Sequence, residues 1–327
     1  MHIYYSGTPT RRGKDVSKSL SFRYILSSSV IEKAYSNFFI KVFNILRTVY
    51  FDIKLLKKLK STHLIYEHAA DFTPTLTVLI FNLLFKVKFI IDCHTCVYVD
   101  CNYGFIRNLI NRKVIKMASI FIAHNEETLL IKGLHKNMFA LESKVPKIKD
   151  HKNLYKVDNN KKNVVFITRF NSDEPILEML ECTKLLPKQY EFYITGDYKK
   201  IFKDSDIKKY NRVKFTGFLN DETYNSIIHN CDVHVVLTKR DYTLLYGGRE
   251  SISVEKPLVI SNNKPCINFF KNAAVYVNND SKNIADGIIN AFENRGTLIS
   301  EIKKLKNEKR IMWDLKINKI RKKIFNK

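Results

Sequence analysis

No apolar run in this chain reaches the roughly 18 residues of a membrane-spanning helix. The run at residues 76–85 is followed at once by Lys86 and Lys88. The protein is expected to lie on a membrane at most, not to cross one. No secretory apolar segment stands at the start, and the six cysteines are scattered through the chain. A disulfide framework is therefore not expected, and a reducing, cytoplasmic compartment fits better. No Gly-x-Gly-x-x-Gly follows any strand-like run, which sets aside a nicotinamide-dinucleotide site. Helix-turn-helix, zinc-finger and RNP signatures are missing too, so nucleic acid is not the expected partner. Acidic residues are few: 32 against 56 basic ones, a formal charge of +24.

That charge is open to four explanations: nucleic acid, an anionic membrane surface, a polyanionic substrate, or a genome biased toward lysine. The basic residues crowd two stretches, 41–60 and 303–327, in which apolar residues recur at helical spacing. Phe43, Leu46, Val49, Tyr50 and Ile53 mark the first, and Ile302, Leu305, Ile311, Leu315 and Ile320 the second. Either each stripe packs on its own domain with the lysines solvated, or the basic faces meet lipid at the inner face of a membrane.

At 327 residues with 45 % apolar content, the chain has room for two packed cores. Strand-like runs at 2–6, 63–67, 88–92, 120–124 and 138–141 alternate with helical stretches at 31–60, 74–86, 105–117 and 126–134, with a polar loop after the first strand. A second round has strands at 163–168, 190–195, 213–216, 233–237, 257–260 and 274–277, and helices at 175–186, 221–230, 249–254, 266–271 and 281–293. Alternation of this kind means parallel β-α-β units. The expected fold is α/β: two doubly wound, Rossmann-like domains facing a cleft. Their expected bounds are 1–148 and 163–300, with a polar linker at 149–162 and a basic C-terminal helix at 301–327.

The segment 233–261, VHVVLTKRDYTLLYGGRESISVEKPLVIS, carries most of the chemistry. A buried strand runs into a polar loop, a Gly247-Gly248 pair, a short helix and another buried strand. Glycines before a helix let backbone N–H groups approach a diphosphate, with Lys239, Arg240 and Arg249 adding charge. Such pairs also close ordinary loops, and Glu250 at a helix start is favoured by the helix dipole without any ligand. Cys93, His94, Cys96 and Cys101 lie close in sequence, but no second ligand pair follows at zinc-finger spacing, so buried thiols are the simpler reading.

As a whole the segment resembles the donor-site signature of family 4 glycosyltransferases: a glutamate, a small-apolar turn, then Lys-Pro-Leu-Val-Ile-Ser at 256–261. The likeness continues in Phe166-Ile167-Thr168-Arg169-Phe170 followed by Asp173-Glu174-Pro175, in Tyr193-Ile194-Thr195-Gly196-Asp197, and in Phe215-Thr216-Gly217-Phe218-Leu219. In the first half, Thr10-Arg11-Arg12, Ile90-Ile91-Asp92-Cys93-His94-Thr95 and Ala123-His124-Asn125 are similar to a bacterial and archaeal branch that builds surface polysaccharides.

The resemblance implies the GT-B architecture and transfer of a sugar from a nucleotide-diphosphate donor to a lipid-linked or polysaccharide acceptor, retaining and without metal or other cofactor. It puts Glu250 on the ribose hydroxyls. Arg169, Arg240, Arg249 and the backbone at Gly247 and Gly248 fall on the diphosphate, and Thr238 with the loops at Gly196-Asp197 and Gly217-Phe218 lines the donor. His94 falls on the transferred sugar, and Thr10, Arg11 and Arg12 on the acceptor side. Two departures stand out. The second glutamate of the pattern is Tyr242 here, with Asp241 beside it as a substitute, and the lysine usual after the Arg169 position is replaced by Asp173-Glu174. The alternatives are a glycosyltransferase-like subunit without chemistry and a basic nucleic-acid-binding protein.

Overall fold

Runs such as Phe89-Ile90-Ile91 and Val164-Val165-Phe166 have no polar face to offer water, and each lies in a sheet covered on both sides. The computed structural model describes residues 2–5, 11–21, 23–26, 38–58, 63–68, 72–93, 104–125, 135–149 and 154–325. They divide into two compact units, 1–144 with 313–327 and 145–312.

The first unit follows β1 (His2–Tyr5), α1 (Arg11–Leu20), β2 (Arg23–Leu26), α2 (Phe38–Lys58), β3 (His63–His68), α3 (Phe72–Phe85), β4 (Lys88–Cys93), α4 (Phe105–Met117), β5 (Ile120–Ala123) and β6 (Met138–Ala140). Its sheet is parallel throughout, in the order β2-β1-β3-β4-β5-β6. Strand alternation sorts the core. Phe89, Ile91 and Phe121 meet Leu56, Phe81 and Val114 of α2, α3 and α4 on one face. Ile90, Ile120 and Ile122 meet Val16 and Leu20 of α1 on the other, together with Trp313 and Ile317.

In the second unit β7 (Lys162–Phe166), α5 (Ile176–Leu185), β8 (Tyr190–Thr195), α6 (Asp204–Ile207), β9 (Val213–Gly217), α7 (Asp221–Asn230), β10 (Val233–Val236), α8 (Tyr246–Ser253), β11 (Leu258–Ser261), α9 (Lys264–Phe270), β12 (Val275–Val277), α10 (Ser281–Glu293) and α11 (Arg295–Phe325) follow in turn. The strand order is β12-β11-β10-β7-β8-β9, again parallel throughout. The doubly wound expectation thus holds for both sheets.

Several local expectations change. The polar loop expected after β1 contains α1 and β2. The helix expected from residue 31 is described from Phe38, and the one expected at 126–134 lies outside the described residues. Within the stretch read as a linker, Tyr155 packs edge-on against Tyr193 and is tied to Ser226 and Asn230, so residues 154–162 are part of the second unit. The C-terminal helix is α11, 31 residues long; it gives Leu298, Ile302 and Leu305 to the second unit's core and Trp313, Ile317, Ile320 and Ile324 to the first unit's. Most of its apolar stripe is thus buried, although Ile311 and Leu315 are exposed.

His234, inside β10, is fully buried between Ser251 Oγ at 2.9 Å and the Ile228 carbonyl at 2.8 Å. Burial first, then the charges of Lys256 and His229, push its pKa down to about 3. The unfolded chain takes up this proton near pH 6.5 and the folded one does not until about 3, so stability falls as pH drops through that window. Urea midpoints measured by circular dichroism should decline from neutral toward pH 4, and His234→Asn should flatten the slope. Equal slopes for the two proteins would refute this.

Candidate functional site

In a doubly wound sheet the ligand crevice opens at the carboxyl ends of the strands where the winding reverses, here between β7 and β10. The donor-side residues singled out by sequence gather there. Arg169 follows β7, Gly196 and Asp197 follow β8, Gly217 ends β9 with Phe218 after it, and Thr238 to Tyr242 follow β10, ahead of α8.

Helix α8 begins at Tyr246, three residues earlier than the sequence suggested, and this changes three assignments. Glu250 becomes its fifth residue, beyond the first turn, where the helix dipole gives an acid little. Glu250 is 7 % exposed, and its Oε2 accepts a 2.6 Å hydrogen bond from the hydroxyl of Tyr224 on α7. Arg249 turns inward: it is fully buried, its guanidinium 5.8 Å from the Tyr246 ring centroid and 5.3 Å from that of Phe269. That position does not suit the solvent-side phosphate contact expected of it. The glycines also act inward. A Cβ on Gly248 would stand 2.5 Å from Phe270 Cζ, and one on Gly247 3.0 Å from Ile167 and Val236, so their smallness seats the helix on the sheet. No side chain caps the amino end of α8 at Leu245. The amino end of a helix attracts anions.

The two acids that replace the usual lysine hold the loops in place. Glu174 accepts the backbone N–H groups of Arg169 at 3.0 and 3.1 Å and of Asn171 at 2.9 Å. This pins Phe170 between them at φ +56°, a conformation that strains a bulky side chain, while its ring is buried against Phe202 and Phe215. Burial raises the Glu174 pKa, opposed by those backbone bonds. Arg169 itself is exposed. Asp173 accepts from Thr238 Oγ1 at 3.2 Å, pairs with Arg240 Nε at 3.4 Å, and its carbonyl takes the Lys239 N–H at 2.6 Å. Asn263 donates to the Arg240 carbonyl at 3.2 Å, and Asn279 to that of Thr238 at 2.8 Å. Sequence reading did not single out Tyr224, Asn263 and Asn279, and it noted Asp173 only as part of the pair that replaces the usual lysine.

Gly196 has φ +99°, and a Cβ there would lie 2.6 Å from the Thr168 carbonyl oxygen, so only glycine lets the loops after β7 and β8 touch. Asp197 caps the 3-10 turn Tyr198–Lys200 through the Lys199 N–H at 3.2 Å. Gly217 also has positive φ, and the ring of Phe218 beyond it is 89 % exposed, an aromatic face presented to solvent. Asp241 is exposed and Tyr242 is half exposed. The Asp204-Ser205-Asp206 triplet has local work: Asp204 accepts from the Tyr198 hydroxyl at 2.9 Å and Asp206 from the Lys203 N–H at 2.9 Å.

In the first unit, His94, Thr10, Cys96 and Cys101 lie outside the described residues, and of Arg11 only its place at the start of α1 is described. Cys93 is buried at the end of β4. Arg12 is 2 % exposed and ion-paired with the equally buried Asp92 at the end of β4. Its other bonds go to the carbonyls of Cys93 at 3.0 Å and Leu141 at 3.1 Å and to His124 Nδ1 at 3.1 Å. A guanidinium so engaged ties strand ends together, a structural role beside the acceptor-side one expected for Arg12.

The sequence model of the family described as "Glycosyl transferases group 1" matches residues 147–312. A comparison with curated protein sequences finds no match. Among solved structures, the chain is similar to HepE of Anabaena in complex with UDP, at 12 % identity over 98 % of each chain with a TM-score of 0.72. The same Anabaena protein in complex with UDP-glucose gives 13 % identity, 98 % and 99 % coverage and a TM-score of 0.69. Sucrose-phosphate synthase from Thermosynechococcus elongatus gives 11 % identity, 99 % coverage of both chains and a TM-score of 0.74. At such identities the likeness is one of fold, the two-sheet α/β architecture called GT-B.

Proposed function

The chain belongs to the group 1 glycosyl transferases, and from that premise we propose that it transfers a sugar from a nucleotide-diphosphate donor bound on the second unit. The observation that carries this reading is the arrangement at the reversal point between β7 and β10. A carboxylate oriented by Tyr224, an uncapped helix start, a loop arginine and an exposed aromatic ring surround one set of strand ends. Glu250 would accept hydrogen bonds from the ribose hydroxyls, and Phe218 offers a face on which a base stacks. As the bond between sugar and diphosphate breaks, negative charge grows on the leaving group. The α8 N–H groups, Arg240 and Arg169 are the donors available to meet it. Arg240 would exchange Asp173 for phosphate.

The structure of HepE from Anabaena with UDP-glucose supports a donor of the same class. We further read the reaction as retaining and independent of metal, with Asp241 near the sugar, His94 acting on it from the first unit, and the acceptor a lipid-linked sugar or polysaccharide at the cytoplasmic membrane face. Calorimetry with UDP-glucose and with other nucleotide sugars, each with and without EDTA, tests the donor and the metal together. Donor at a hundred times its Kd should add about 2.7 kcal/mol of stability. Loss of binding on chelation would end the metal-free reading, and failure of every nucleotide sugar to bind would end the donor reading.

A further inference from the structure

A surface helix normally turns its apolar residues inward and its charges outward. Helix α2 does not. Its inward side is narrow: Val49 and Leu56 are buried, Leu56 in the core under the sheet, and Asp52 is buried where it accepts the hydroxyl of Tyr4 at 2.5 Å. Phe39, Phe43, Leu46 and Tyr50 recur at i, i+4, i+7 and i+11, one row along the helix, and are 60–80 % exposed. The neighbouring helices continue the pattern. Leu83 and Leu84 of α3 and Phe105, Ile106 and Leu109 of α4 are all more than half exposed. So many large apolar side chains exposed on three successive helices of one unit is unusual in a protein that meets only water.

The exposed charges on these three helices are of one sign. Exposed Arg47, Lys54, Lys57 and Lys58 lie on α2, and exposed Arg112, Lys113 and Lys116 on α4. The only acid in the three helices is Asp52, which is buried. A protein partner covering a patch this basic would need a matching acidic rim, and a second copy of the chain would set like charges against each other. Anionic lipid satisfies both components at once, with headgroups for the cations and acyl chains for the rings. Topology adds a placement. α2 runs from the carboxyl end of β2 to the amino end of β3, and α4 likewise from β4 to β5, so Phe39, Phe43, Phe105 and Ile106 stand toward the carboxyl edge of the sheet, the edge from which site loops emerge.

We propose that the face formed by α2, α3 and α4 docks the first unit onto an anionic bilayer, with the row Phe39, Phe43, Leu46 and Tyr50 entering the interface. The basic C-terminal helix has a different role, because most of its apolar stripe is buried. The proposal uses no residue of the donor site, so failure of either reading leaves the other standing.

Flotation of the full chain with phosphatidylcholine vesicles, and with vesicles containing about one-third phosphatidylglycerol, tests it. Binding is expected only to the anionic vesicles and should weaken with salt. A Phe39→Ser, Phe43→Ser, Leu46→Ser protein keeps every charge and should bind at least about tenfold more weakly. Arg47→Gln, Lys54→Gln, Lys57→Gln should lose more binding than Lys188→Gln, Lys208→Gln, Lys282→Gln, which removes the same charge from the second unit. Unchanged Trp313 emission and nucleotide-sugar binding would show that the variants are folded. Equal flotation with neutral vesicles, equal loss for the two charge variants, or a dimer that the serine variant dissociates would overturn the proposal.

Discussion

Arg12→Ala is expected to lower the stability of the first unit by about 3–5 kcal/mol, because it strands the buried carboxylate of Asp92 without its counter-charge. The bonds from Arg12 to the carbonyls of Cys93 and Leu141 would go with it, loosening the carboxyl ends of β4 and β6. Trp313 is the sole tryptophan and sits in that unit's core, so its emission during urea unfolding reports on the first unit alone. A double variant, Arg12→Met with Asp92→Leu, removes both charges and should recover most of the loss, since desolvating a pair offsets much of its attraction. An Arg12→Ala protein with an unchanged Trp313 midpoint and impaired transfer would point to the acceptor-side role instead.

Glu250→Gln is expected to leave the second unit folded while donor affinity falls at least about tenfold, the loss of charge-assisted hydrogen bonds worth about 1.5–3 kcal/mol. Glutamine keeps the size of the side chain and can still accept from the Tyr224 hydroxyl. Folding should therefore change little, and calorimetry with UDP-glucose isolates the charge. Tyr224→Phe should weaken the donor several-fold by releasing the carboxylate from its 2.6 Å restraint, without removing it. Donor affinity and turnover unaltered in Glu250→Gln would remove the ribose assignment, whatever the state of the fold.

The alternation of apolar runs and helical stretches was legible because each strand buried on both faces must be nearly continuous in apolar residues, as in β7, β10 and β11. Helix α1 was hidden for the opposite reason. Its buried row is Arg12, Val16 and Leu20, and an arginine standing in a core position breaks the apolar period. Strand β2, RYIL, lies at a sheet edge close behind α1 and lacks the continuous apolar run that marks β10 and β11. At the site, type and neighbourhood were readable but orientation was not. Placing the start of α8 three residues late turned Arg249 outward on paper, and only the packing of Gly248 on Phe270 fixes the true register. Tyr224 was invisible, and the partners of Asp173 were too, because each side chain acts on a residue distant in sequence.

Helix α11 also has a consequence for synthesis on the ribosome. Val16 and Leu20 emerge early, yet their partners Trp313, Ile317, Ile320 and Ile324 are translated only after the whole contiguous stretch 145–312. At bacterial-to-eukaryotic elongation speeds that interval is on the order of 10–30 s. For that time the nascent amino-terminal half lacks the α11 part of this core cluster, while the half made later can fold without waiting. The order of maturation is thus inverted relative to the order of synthesis, and a holdase on the nascent amino-terminal half would act on that cluster.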